Sequence, residues 1–307
     1  VELSEKLGQE INPALFFKYT TPKEITLFIE KEVLKDCKKL QTILNINEEK
    51  SNSIIHTDNL NDTDIAIIGV TCRLPGAESL EEFWQNLLDK KLCKQMIPKE
   101  RWESSLNEKD GEYGNFISGI ENFDSDFFNI IPREAESMDP RQRILLQSVW
   151  NVLEDAGYSP NRLRGSDTGF FIGSTGHDYE KIVFKNKSVD EFSLMGVSKT
   201  LITNRINYFY DWHGPSEVVD TACSSSLVAV HHAVRAICNN ECTMAIAGGI
   251  NLIIDSESHL SLKKIGMLAK DGVSKTFDKQ GDGYARGEGC VLMLLKPLSK
   301  AIEDNDN

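Results

Sequence analysis

The sequence predicts an α/β protein in which helices and sheet stack as alternating layers. Three observations carry that expectation. Short apolar runs ending in small or polar residues recur at 64–70, 167–173, 218–219, 244–250 and 290–295. Runs of this length read as strands covered on both faces. Between them lie helical periodicities: Leu145, Val149, Val152 and Ala156 share one face, and so do Leu227, Val230, Val234 and Ile237. Strand, helix, strand, helix, strand is the order that builds a layered α/β fold.

Composition narrows the function classes. The chain has 307 residues, 40% hydrophobic and 26% charged, enough for one large domain or two smaller ones. A net charge of −13 argues against a nucleic-acid partner, because phosphate binding needs a basic face. No apolar run reaches the roughly 18 residues of a membrane span. The start, Val1-Glu2-Leu3-Ser4-Glu5-Lys6, does not have the pattern of a signal peptide. Seven scattered cysteines, an odd number, read as reduced thiols in a cytoplasmic enzyme. Cys238 and Cys242 are the closest pair, and no second pair or histidine completes a zinc pattern.

Residues 1–45 read as a short helical unit. Thr21 caps a helix, Pro22 takes its first position and Glu24 closes a capping box; Ile25, Phe28, Ile29 and Val33 then share a face. Residues 46–62 are polar and without period, as a linker is. The main domain is expected over 63–307. It opens with the strand at 64–70 and a helix from Ser79 to Asp89. An aromatic-rich excursion follows, with Trp102, Phe116, Phe123, Phe127 and Phe128 as packing residues. Asp139-Pro140-Arg141-Gln142-Arg143 starts the next helix, which ends near Gly157; Asp139 and Arg143 form a helix-start salt bridge or line a substrate tunnel.

The stretch from Asp278 to Gly289 imitates two other motifs. It is not an EF-hand, because Gly289 stands where a bidentate Glu is needed. It is not a dinucleotide loop, because its spacing is G-x-G-x-x-x-G with no strand feeding it. Its glycines permit a tight turn and close backbone approach.

The candidate site residue is Cys223. Val218-Val219 ends a strand, a cluster of small residues follows, and a helix begins near Ser224. A cysteine at such a strand-to-helix turn has the mechanics of a nucleophile elbow, and the helix N-terminus stabilises a thiolate. A buried structural cysteine with a serine cap fits the position alone equally well. Of the six histidines, His231 and His232 lie two helical turns on, roughly 12 Å along the axis, too far for a direct bond to the sulfur. His177 sits in a loop and stays open as a neighbour of Cys223.

The string Asp220-Thr221-Ala222-Cys223-Ser224-Ser225-Ser226-Leu227 resembles the active-site signature of β-ketoacyl synthase domains of modular polyketide synthases. The opening at 65–77, the stretch around Met138-Asp139-Pro140 and the glycine turn at 281–289 resemble the same family. Segments 1–8 and 14–22 resemble the second half of an acyl carrier protein, without its phosphopantetheine-bearing serine. The resemblance implies a thiolase-like fold, of which this chain holds the N-terminal half and a little more, in a homodimer. It implies an acyltransferase that forms C–C bonds. Cys223 would take an acyl chain from a carrier-protein thioester, and a decarboxylative Claisen condensation with a malonyl-type extender would elongate it. Partners would be acyl carrier proteins and the remainder of a large multidomain synthase. The domain would bind no cofactor itself; phosphopantetheine would arrive on the carrier. The family's His-Gly-Thr-Gly-Thr and Gly-His motifs are not recognisable here, so the piece alone is expected to acylate poorly and not to condense. Its second wall would be open, leaving apolar surface around 246–250 exposed. The alternative is a non-catalytic docking half of a split synthase.

Overall fold

A computed structural model describes residues 63–99, 101, 113–186 and 189–306. The expected helical unit at 1–45, the linker at 46–62, His56 and Trp102 lie outside the described residues. Strand β1 (Ile65–Arg73) turns into α1 (Leu80–Leu88), and a small ribbon follows, β2 (Gln95–Met96) with β3 (Tyr113–Gly114). Then come α2 (Pro132–Ser137), α3 (Pro140–Asp155), β4 (Thr168–Ser174), α4 (Asp178–Asn186), α5 (Ser193–Val197) and α6 (Leu201–Tyr210). The chain continues through β5 (Ser216–Val219), α7 (Ser225–Cys238), β6 (Met244–Asn251), α8 (Ser256–Lys264), β7 (Gly289–Pro297) and α9 (Leu298–Asp304). Among the described residues no helix is long and apolar enough to cross a membrane.

The helix starts follow the capping residues. Ser79 accepts the Glu82 amide at 3.2 Å, and Asp139 accepts the Arg141 amide at 2.8 Å; each satisfies a donor that has no partner inside its helix. Gly157, at φ +71°, then follows the end of α3, a backbone angle that glycine adopts without steric cost.

The main sheet has the order β1-β7-β6-β4-β5. β4 runs parallel to both β5 and β6, whereas β7 is antiparallel to β6 and β1. Side chains alternate across it. Phe170, Ile172, Ile246, Leu292 and Leu294 pack toward α3 and α6. Phe171, Ala245, Ala247 and Leu295 pack toward α7. This period of two places one helical layer on each face.

Several expectations change. The strand at 64–70 is not covered on both faces: among the described residues β1 is an edge that pairs with β7 alone, and Ile67 is 53% exposed. β5 is the other edge, with Glu217 exposed. The apolar surface expected around 246–250 is buried, with Ile246 at 0% and Ile250 at 3%, because β6 is central and flanked by β4 and β7. In α7 the period is right but the buried face is not. Ala229, Ala233, Ala236 and Ile237 face the sheet, and Leu227 is 74% exposed. Alanines let the helix axis approach the strands, so the small stripe takes the inner face.

Candidate active site

Cys223 stands where β5 hands over to α7. A 3-10 turn at Ala222–Ser224 separates strand from helix, and Ala222 adopts φ +57°. A non-glycine residue keeps that angle only when its surroundings over-determine it. Here they do. The Ser225 hydroxyl accepts from the Thr221 amide at 2.9 Å and donates to the Ala222 carbonyl at 2.6 Å. The Ser224 hydroxyl donates to the Thr221 carbonyl at 2.9 Å. Asp220 accepts from the Ala222 amide at 3.4 Å. The result is an exposed thiol on a turn fixed by its own side chains.

Two glycines let the helix start sit against the sheet. A Cβ at Gly173, on β4, would fall on the backbone of Ser225 and Ser226; one at Gly249, on β6, would lie 2.7 Å from Ser226 Cβ. The small residues ending these strands are therefore what brings the elbow down to the sheet.

A cavity of about 640 Å³ is lined by Cys223 and by the glycine turn, with Tyr284, Arg286, Gly287 and Gly289 among its lining. The turn reaches the cysteine pocket because it is tied from three sides. Glu288 is buried at 5% exposure, and its carboxylate accepts from the Ile253 amide at 2.8 Å, the Ile117 amide at 3.0 Å and Arg101 at 3.0 Å. Burial pushes the Glu288 carboxyl up, against the pull of Arg101 and the two amides. Asn251 donates to the Gly287 carbonyl at 2.7 Å.

A smaller cavity of about 310 Å³ adjoins it, sharing Thr175, Asn251 and Arg286. Beneath it Arg141 bridges Asp139, at 2.7 Å, and Asp178. Asp178 also accepts the Ile254 amide at 2.9 Å. Burial of Asp178 opposes its ionisation, but the Arg141 charge and hydrogen bonds prevail and hold the carboxyl below its usual range. The triad joins the start of α3 to the segments that leave β4 and β6. Sequence spacing pointed to Asp139 with Arg143. The partner is Arg141, and Arg143 donates instead to the Glu121 carbonyl at 3.0 Å.

The described histidines sit in different parts of the fold. His177 lines the adjoining cavity. His232 of α7 meets Glu217 of β5 at 3.0 Å, His213 meets Asp211 at 3.4 Å, and His259 is buried at 2%. Among the described residues, none hydrogen-bonds Cys223 Sγ. Lys199, which the motifs did not single out, pairs with Asp220 at 2.5 Å beside the cysteine turn.

Residues 62–301, more than half of the chain, match the family model described as beta-ketoacyl synthase, N-terminal domain. The chain belongs to the β-ketoacyl synthase family. It is 45% identical over 253 residues to polyketide synthase PksN of Bacillus subtilis, covering 79% of this chain and 5% of that protein. Polyketide synthase PksL of the same organism is 37% identical over 334 residues, covering 99% of this chain and 7% of that protein. Among solved structures, the chain resembles the ketosynthase from module 6 of the bacillaene synthase of Bacillus subtilis 168. That match has a TM-score of 0.71 at 39% identity and covers 79% of this chain and 41% of the other. The oxazolomycin ketosynthase domain OzmH KS7 of Streptomyces albus JA3453 gives a TM-score of 0.72 at 37% identity, covering 80% of this chain and 44% of the other. The fold is thus the thiolase-like one of ketosynthases, and the chain spans about two fifths of the ketosynthase chains it matches.

Proposed function

We propose that this ketosynthase chain carries the acyl-accepting step of polyketide chain elongation, with Cys223 as nucleophile. The observation that supports it is an exposed thiol on a fixed elbow, at the wall of a cavity that the tethered glycine turn also lines. The Cys223 thiolate attacks the carbonyl of a carrier-bound thioester. A new C–S bond forms, the old one breaks, and the departing pantetheine thiolate takes a proton from water. The backbone amide of Cys223 donates to the oxyanion of the tetrahedral species. In the second step a malonyl-type thioester loses CO2, and its enolate attacks the acyl-cysteine. The C–C bond forms and the cysteine thiolate is released.

The partners are acyl carrier proteins, in a homodimer within a multidomain synthase. Phosphopantetheine is substrate on the carrier, and the cavity lined by Cys223 is the place for its thioester end. The acylation half is assigned to this chain's own residues, because none of the histidines among the described residues is bonded to the sulfur. The test is a release assay: the full chain is mixed with excess acyl-pantetheine thioester and free pantetheine thiol is counted. Slow release above the buffer rate that levels off at about one equivalent per chain is expected from a covalent acyl-enzyme. Release equal to buffer throughout contradicts the proposal.

A further inference from the structure

The turn that presents Cys223 is met by a residue from another element. Lys199 lies just before α6, and its ammonium meets Asp220 Oδ2 at 2.5 Å. The other oxygen, Oδ1, accepts from the Ala222 amide at 3.4 Å, holding the residue whose φ is +57°. Asp220 and Cys223 line the same cavity. Lys199 is half-buried, its side chain 26% exposed. The hydrogen bond from Lys199 chiefly holds the Asp220 carboxyl below the usual range, helped by the Ala222 amide.

We propose that Lys199 is a positioning residue for the nucleophile: it orients and neutralises Asp220, so that the carboxylate secures the Ala222 turn without setting an uncompensated negative charge beside the Cys223 thiolate. The inference rests on the reading of Cys223 as nucleophile. An aspartate in the turn has two effects of opposite sign. Its oxygen fixes the amide, which helps the elbow. Its charge disfavours a neighbouring thiolate. Lys199 removes the second effect and keeps the first. The other charged or titratable groups lining the two cavities, among the described residues, are His177 in the loop after β4, Arg141, Asp178, Lys181 and Asp255 around the smaller cavity, and Tyr284, Arg286 and Glu288 in the glycine turn. Glu288 is engaged by Arg101 and two amides, and Arg286 donates to Ser258 at 3.2 Å. These groups stay constant across the variants below.

The experiment measures iodoacetamide alkylation of Cys223 in the full chain against pH, by peptide mapping. The variants are Lys199→Met, Lys199→Arg, Asp220→Asn and the double variant Lys199→Met/Asp220→Asn. Lys199→Met leaves the carboxylate unneutralised, so its alkylation midpoint moves up and the rate at pH 7 falls roughly threefold for a partly exposed charge. Asp220→Asn keeps an acceptor for Ala222 and leaves the ammonium unpaired, so its midpoint moves down. Lys199→Arg stays near the parent, and the double variant lies between the two single ones. Opposite shifts are the signature of a charge pair acting on the thiolate. Shifts of the same sign, or none, overturn the proposal, because a merely structural role moves both variants one way. If Lys199→Met does not fold, the downward shift of Asp220→Asn decides alone. If Cys223 of the parent chain is not alkylated ahead of Cys238, it is the reading of Cys223 that fails, not the role of Lys199.

Discussion

Gly173 and Ser226 approach so closely that a single methyl group on Gly173 would collide with the backbone at Ser225 and Ser226. The β4 strand end is therefore a seat for the first turn of α7. Gly173→Ala has to push that turn off the sheet and strain the hydrogen bonds around Ala222. Overpacking of this kind costs about 1–3 kcal/mol. Urea denaturation should show a loss in that range, with slower alkylation of Cys223 in the folded protein. A variant as stable and as reactive as the parent would show that the helix start is not seated there.

Glu288 is the second test of the site's framework. Each of its oxygens accepts a backbone amide, Ile253 on one and Ile117 on the other. Glu288→Gln keeps the size but turns one acceptor into a donor facing an N–H. Leaving such a buried amide unmet costs roughly 1–3 kcal/mol. The glycine turn should then loosen, read as proteolysis between Tyr284 and Gly289. Unchanged stability and unchanged cleavage would remove Glu288 from this role.

Part of this was readable from the chain. Ser79 and Asp139 cap helices where the sequence places them, and the stripe Leu145, Val149, Val152 and Ala156 is buried, although α3 also buries Ile144, Leu146 and Leu153. The strand–turn–helix around Cys223 follows from its small residues and the period after it. What local pattern cannot carry is pairing between distant segments. β1 and β7 meet across more than two hundred residues, so neither the edge position of β1 nor its antiparallel partner shows in its apolar run. Arg141 was missed for the same reason: spacing along a helix favours Asp139 with Arg143, and Asp178 reaches Arg141 only through the fold. Lys199 carries no motif, and only the folded chain sets it beside Asp220.

His259 sets a pH window for stability. Burial, with Arg286 and Lys263 nearby, pushes its imidazole from 6.5 down to about 4. The unfolded chain therefore binds a proton that the folded chain refuses between these values. Stability is fully present above about pH 6.5 and falls as pH drops toward 4. At about 1.4 kcal/mol per tenfold in proton affinity, the gap bounds the loss at about 3–4 kcal/mol. Urea midpoints at pH 7.5, 6 and 5 should decline, and His259→Gln, which takes no proton, should flatten that slope. A variant that keeps the full slope contradicts the assignment.

The thiols should separate by burial. Burial pushes Cys242 up to about 11 and Cys290 up to about 12, and raises Cys72 as well. At pH 8 these three should stay unmodified in the folded protein, while the exposed Cys223 and Cys238 react. Differential alkylation before and after denaturation reads this directly. Native labelling of Cys290 would mean that the sheet between β1 and β6 opens.

The most direct measurement is where an acyl group lands. The full chain is treated with an acyl-pantetheine thioester, trapped in acid and mapped by peptide mass spectrometry, beside Cys223→Ala. The account predicts one acyl mass on the peptide that holds Cys223, absent in the variant. An adduct mainly on Cys238 or another cysteine, or equal acylation of Cys223→Ala, would contradict it.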